Sequence, residues 1–190
     1  MLDSYNNEVF RRQFLKSIFI LGVTAFYPRI SDAIIHKVDY DERCLTLYHP
    51  KTKERFEGAY WINGNYAESA LSEINFIMRD LRTDEIKPID TRLLDLLFRI
   101  HGDLGSIEPF HIMSGYRSPD TNELLRKKGW AVSKQSLHEK GKAVDIRLPK
   151  TKTSLLRRAV YQLKSGGVGY YPKLNFVNID IGSIRYWTRY

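Results

Sequence analysis

The run from Lys142 to Leu148 constrains the chain most. It alternates strictly, with Val144, Ile146 and Leu148 on one face and Ala143, Asp145 and Arg147 on the other, which is the period of a strand with one face in a core. Asp145 stands among apolar neighbours in that strand. An ionised carboxylate there is costly unless a cation or metal partners it, so the strand implies both a sheet and a polar centre on it.

The rest of the chain supplies an α+β setting for this strand. Leu45, Leu47, Phe56, Tyr60, Trp61 and Ile62 flank a turn at His49-Pro50-Lys51-Thr52 and read as an amino-terminal hairpin. A helix is predicted from about Ala67 to Asp80, with Leu71, Ile74, Phe76, Ile77, Met78 and Leu81 on its apolar side. A second starts at the N-cap Asp90 and carries Leu93, Leu94, Leu96, Leu97, Ile100 and Leu104. Pro109 to Met113 follows as a strand, and Ser118-Pro119 opens a helix to Lys128. Thr153 caps another helix that ends at Gly166-Gly167. Phe176–Ile181 and Ile184–Trp187 read as a closing hairpin about Gly182-Ser183. The expectation is a small antiparallel sheet with helices packed on it, preceded by the amino-terminal hairpin.

Length and composition narrow the function classes. The 190 residues amount to one domain and carry ordinary charge content and no low-complexity run, which argues against disorder. A single cysteine, Cys44, excludes an internal disulfide and a Cys-rich zinc module, and its alternating context reads as a core thiol. The net charge of +8 permits an anionic partner without naming one, since no stretch reaches five consecutive basic residues.

The first thirty-three residues read as an address. Phe10-Arg11-Arg12-Gln13-Phe14-Leu15-Lys16 precedes an apolar stretch from Ile18 to Tyr27 and then Ser31-Asp32-Ala33, the basic, apolar, small-residue order of an export signal. The paired arginines resemble the twin-arginine signal, with Phe10 where that signal usually has Ser or Thr. The apolar run falls short of the ~20 residues of a spanning helix. An amphipathic helix and a retained anchor are the alternatives. Cleavage after Ala33 would leave a single domain, 34–190, with no stable membrane insertion. That domain keeps 26 of the 30 basic and 19 of the 22 acidic residues, a net +7. Export disfavours a nucleic-acid partner.

Four segments gather polar residues that a core would not choose: Ser114-Gly115-Tyr116-Arg117-Ser118, Ser136-Leu137-His138-Glu139-Lys140-Gly141, Ala143-Val144-Asp145 and Asn178-Ile179-Asp180. His138 lies seven residues before Asp145, in a loop that can fold its imidazole back beside the carboxylate. Asn178 and Asp180 are two apart in a strand and point the same way. Zinc hydrolases use three ligands drawn from His, Asp and Glu with a fourth position left to water. His138 and Asp145 supply two of them; Asn178 or Asp180 are the candidates for the third. Hydrogen-bonded structural residues are the plainer reading of the same pattern.

With Thr121-Asn122, Leu125-Arg126, Gly166-Gly167-Val168-Gly169-Tyr170-Tyr171-Pro172 and Phe176-Val177-x-Ile179-Asp180 followed by Gly182, Arg185 and Trp187, these segments resemble the murein endopeptidase K family. Its members are zinc peptidases of the D-alanyl-D-alanine carboxypeptidase type, and the resemblance spans roughly residues 67–187. It implies a periplasmic, one-zinc enzyme that hydrolyses peptide cross-links of peptidoglycan, with His138 and Asp145 as metal ligands. The family's third ligand is a histidine at the position of Asn178. An amide oxygen is a poorer donor than imidazole for zinc, so the alternative is a metal-site-impaired relative that binds wall peptides or a partner without cleaving. Arg117 is expected to hold a substrate carboxylate or the developing oxyanion, and Asp180 to act as base or ligand orienter. Ser136 and Tyr116 are expected to contact substrate.

Overall fold

Alternation in the amino-terminal part puts Leu45 and Leu47 of β1 (Glu42–Tyr48) and Phe56 and Tyr60 of β2 (Arg55–Ile62) into the core as an antiparallel hairpin. The computed structural model describes residues 42–130 and 132–190. The expected export signal, 1–33, and His36 lie outside the described residues. A two-residue β3 (Asn65–Tyr66) extends the hairpin edge, followed by α1 (Glu68–Ile77) and α2 (Thr91–Leu104). Asp90 caps α2, its carboxylate accepting from the Arg92 amide at 3.1 Å, and Gly105 ends it in the left-handed region at φ 56°. Then come β4 (Phe110–Ser114), α3 (Pro119–Lys127) capped by Ser118, a single 3₁₀ turn at Leu137–Lys140, and β5 (Ala143–Arg147). The chain closes with α4 (Thr153–Leu163), β6 (Gly167–Tyr171), β7 (Phe176–Asp180) and β8 (Arg185–Thr188).

The α+β class holds, and the sheet is larger and differently connected than expected. Among the described residues, all eight strands form one mixed sheet in the order β3-β2-β1-β4-β5-β7-β6-β8. The amino-terminal hairpin is built into it, because β1 pairs in parallel with β4 through Leu47↔Phe110 and Tyr48↔His111. The expected closing hairpin does not form. Instead β8 crosses over and pairs in parallel with β6, from Gly167↔Arg185 to Tyr170↔Thr188.

One contiguous core joins the sheet to the helices. Ile74, Ile77 and Met78 meet Leu93, Leu94, Leu97 and Ile100, and these join Ile112, Val144, Ile146, Val177 and Ile179 from the central strands. Each such buried aliphatic side chain contributes roughly 1.5–3 kcal/mol relative to exposure. The helix α1 packs on β1 and β2, and α4 on β6 and β7. Phe76, expected on the apolar side of α1, is 45% exposed, with the Arg79 guanidinium stacked on its ring at 3.9 Å. Cys44 is half-buried, and burial raises its thiol pKa.

Candidate active site

Strand register builds the site. In the β5–β7 ladder Asp145 lies directly opposite Asn178, and in the β4–β5 ladder Ser114 lies opposite Asp145. Three polar residues therefore share one row across three neighbouring strands, set among the core residues Val144, Ile146, Val177 and Ile179.

The 3₁₀ turn delivers the imidazole to that row. Ser136 caps the turn, its Oγ accepting from the His138 amide at 3.3 Å, and Gly141 ends it at φ 64° against the Pro88 carbonyl, where a Cβ has no room. His138 is buried, and its Nδ1 stands 2.7 Å from the Gly115 carbonyl oxygen. A carbonyl only accepts, so Nδ1 carries the proton and Nε2 presents a lone pair, the form in which histidine binds metals. Gly115 is itself confined, since a Cβ there would run into Met78, whose carbonyl accepts from the Tyr116 amide at 2.7 Å.

His138 Nε2 lies 3.5 Å from Asp145 Oδ1. That is close to the ~3.3 Å edge of a tetrahedron built on zinc–ligand bonds of ~2.0–2.1 Å, so the pair fits a zinc ion. Asn178 is the third member. Its Nδ2 donates to Asp145 Oδ1 at 2.7 Å and to His138 Nε2 at 2.9 Å. The opposite orientation would set the amide oxygen against a carboxylate oxygen and an imidazole lone pair, so the hydrogen-bond network dictates which end faces inward. An amide nitrogen is not a ligand; Asn178 has only its oxygen to offer a cation. Among the described residues there is no group of three or more His, Cys, Asp and Glu side chains placed to hold a metal.

Arg117 completes the cluster. Its Nη2 makes a very close ion pair with Asp145 Oδ2, its Nε donates to Ser114 Oγ at 2.8 Å, and its amide donates to the His138 carbonyl at 3.3 Å. Burial alone would raise the Asp145 pKa. The Arg117 guanidinium outweighs it, with help from the Asn178 amide, and holds the carboxyl down at about 2. Asp145 is thus an anion with one donor on each oxygen, Arg117 on Oδ2 and Asn178 on Oδ1.

Of the residues expected at the site, the structure brings together His138, Asp145, Asn178 and Arg117. Ser136 sits beneath them as the cap of the turn. Tyr116 is buried and donates from its hydroxyl to Glu85 at 3.3 Å, with the Lys87 ammonium 5.7 Å from the ring centre. Asp180 shares the face of Asn178, yet its contacts lie at the other end of the strand. It accepts from the Gly167 and Gly182 amides at 3.2 and 2.8 Å and from both terminal nitrogens of Arg185 at 3.1 and 2.7 Å. His49, His101 and His111 lie elsewhere in the fold. Sequence reasoning missed the Gly115 carbonyl and Glu85: a backbone acceptor has no side-chain signature, and Glu85 is one of several acidic residues in a polar connection.

Comparisons with known proteins supply the family. The family model described as peptidoglycan L,D-endopeptidase MepK matches residues 37–187. The peptidoglycan L,D-endopeptidase MepK of Escherichia coli (strain K12) is 41% identical over 145 residues, covering 76% of this chain and 80% of that protein. The probable peptidoglycan L,D-endopeptidase MepK of Haemophilus influenzae is 34% identical over 146 residues, covering 76% and 78%. No solved structure gives a significant match. A family match over residues 37–187 and a relative 41% identical over most of the chain place it: the protein belongs to the peptidoglycan L,D-endopeptidase MepK family.

Proposed function

We propose that the protein is a peptidoglycan L,D-endopeptidase that hydrolyses peptide cross-links in the periplasm. Family membership supports the substrate and the reaction class, and one observation carries the site: the Nδ1-fixed imidazole of His138 with its Nε2 lone pair 3.5 Å from the Asp145 carboxylate. Within this reading residues 1–33 are a twin-arginine-type export signal and 34–190 the working domain. No helix among the described residues is long and apolar enough to cross a membrane.

His138 Nε2 and Asp145 Oδ1 would hold one zinc ion, with the Asn178 amide oxygen as a weaker third donor. When bound, zinc supplies an acidified water and polarises the scissile carbonyl. Arg117 has two roles. It keeps Asp145 anionic, and of its five N–H groups two are spent on Asp145 and Ser114, which leaves the others for a peptide carboxylate or the oxyanion of the attacked carbonyl. Ser136 fixes the height of the imidazole through its cap. Tyr116, anchored by Glu85, offers a ring wall and Ser136 a hydroxyl proton for the bound peptide. The side chain of Asp180 remains a candidate orienter of the β7 strand that carries Asn178.

The test is digestion of purified peptidoglycan with and without zinc, read by chromatography of the released muropeptides. Cross-linked species should fall with the unaltered protein and persist with His138→Ala. Equal digestion by both proteins would overturn the reading.

A further inference from the structure

We propose that Asn178 is a built-in competitor for the divalent ion. Its Nδ2–H₂ group and a cation contend for the same two lone pairs, those of His138 Nε2 and Asp145 Oδ1, and the ion binds only by displacing that donor. The inference deepens the proposed function and rests on it for the identity of the ion.

The geometry makes the competition direct. A single amide nitrogen donates one hydrogen to each member of the pair, at 2.9 and 2.7 Å, so it stands over the two atoms that a metal must reach. Both contacts are buried, and one is to an anion, where a hydrogen bond is at its strongest. The same carboxylate is neutralised from its other oxygen by Arg117. The charge that would draw in a cation is therefore already answered by a guanidinium, and the lone pairs that would fix the cation are already answered by an amide. A buried carboxylate paired with a guanidinium and an imidazole lone pair already taken by a donor have little electrostatic need for an ion.

To admit one, the Asn178 side chain must give up both hydrogen bonds and turn its oxygen inward. That oxygen returns part of the cost as a neutral donor, poorer for zinc than imidazole. Asn178 thus acts with opposite signs at its two ends. The proposal is that the nitrogen end dominates: the residue lowers ion affinity relative to a side chain that is absent altogether. Loading of the site then follows the supply of ion instead of being permanent, and the protein works in proportion to it.

The sign is measurable without reference to catalysis. Zinc is titrated into the chelator-treated protein in competition with a chromophoric chelator, for the unaltered chain and for Asn178→Ala. If the nitrogen end dominates, the alanine variant binds zinc about tenfold more tightly, the equivalent of about 1.4 kcal/mol, although it has lost a possible ligand. Equal or weaker binding by Asn178→Ala overturns the proposal. Should that variant fail to fold, ¹⁵N spectra of the unaltered protein carry the test. The Asn178 side-chain amide protons should exchange slowly with solvent before zinc and quickly at saturation. Slow exchange at saturation overturns the proposal as well. Peptidoglycan digestion on the same samples separates this inference from the function: tighter zinc binding with no digestion under any condition leaves the competition standing and removes the endopeptidase.

Discussion

Two buried aspartates lie at opposite ends of one short stretch of the β5–β7 ladder, and each is paired with an arginine. Asp145 is 4% exposed and Asp180 1%. The pairs differ in everything else. Arg117 is nearly buried, its side chain 15% exposed, and the other Asp145 oxygen accepts from Asn178 with His138 Nε2 3.5 Å away. Arg185 is 45% exposed, and Asp180 spends its remaining capacity on the backbone amides of Gly167 and Gly182. The first carboxylate gathers side chains whose chemistry a ligand can alter. The second gathers main-chain donors that no ligand can replace, and so it ties the start of β6 and the end of β7 to the turn before β8. Burial and an arginine partner do not distinguish a reactive carboxylate from a structural one; the nature of the other donors does.

The sharpest way to break this distinction is to remove charge from each aspartate in turn. Asp145→Asn should lower peptidoglycan digestion at least about 100-fold, because it removes a proposed ligand and the anion that holds Arg117; muropeptide release at the unaltered rate would erase the difference between the two sites. Asp180→Ala should instead register in folding. A buried amide and a half-buried one lose their acceptor and an arginine loses its partner, a loss of about 2–3 kcal/mol read by denaturant unfolding. A stability within 0.5 kcal/mol of the unaltered protein, taken as roughly the scatter of a neutral surface change, would refute the clasp.

A third, half-buried group sharpens the comparison by having little of either kind of partner. His101 stacks on Phe110 with ring centres 3.9 Å apart, and its Nε2 is buried without a hydrogen-bond partner. Burial pushes its pKa down to about 4, against a smaller opposing pull from Glu108. The unfolded chain therefore takes up the proton first as pH falls. The neutral imidazole contributes its full stability above pH ~6.5, and this is lost progressively as pH drops towards about 4, a change of about 3 kcal/mol. Unfolding of His101→Phe followed over the same pH range should show a shallower slope. The smallest effect is expected for Arg185→Ala. With that guanidinium half in water the pair is largely screened, and the loss should stay below about 1 kcal/mol in thermal melts. A larger loss than for Asp180→Ala would reverse the assignment of the clasp to the backbone amides.

The same contrast explains what the sequence displays and what it hides. Asp145 announces itself, because a carboxylate in the alternating run from Ala143 to Leu148 has no place in a core unless something answers it. The caps at Asp90 and Ser118 were equally legible, being local hydrogen bonds made within three residues. The partner of β8 was not. Gly182-Ser183 reads as a hairpin turn, yet the Asp180 side chain takes up the Gly182 amide and reaches on to Arg185, and β8 lies on β6 instead of folding back on β7. That choice depends on a contact between residues five apart and on Gly167 across the sheet, which no periodicity encodes. Asn178 shows the same limit at the site. Its position was legible from its spacing to Asp180; which end of its amide faces Asp145 is set only when His138 and Asp145 are both in place.

Gly115 links the site to a part of the molecule that holds none of its chemistry. The carbonyl that orients His138 belongs to a residue pressed against Met78, at the end of α1. With no side chain to yield, that contact passes any displacement of the helix end to the imidazole. A substitution that shifts the last turn of α1 therefore has to be matched in the loop after β4, or the His138 lone pair leaves the Asn178 donor that meets it.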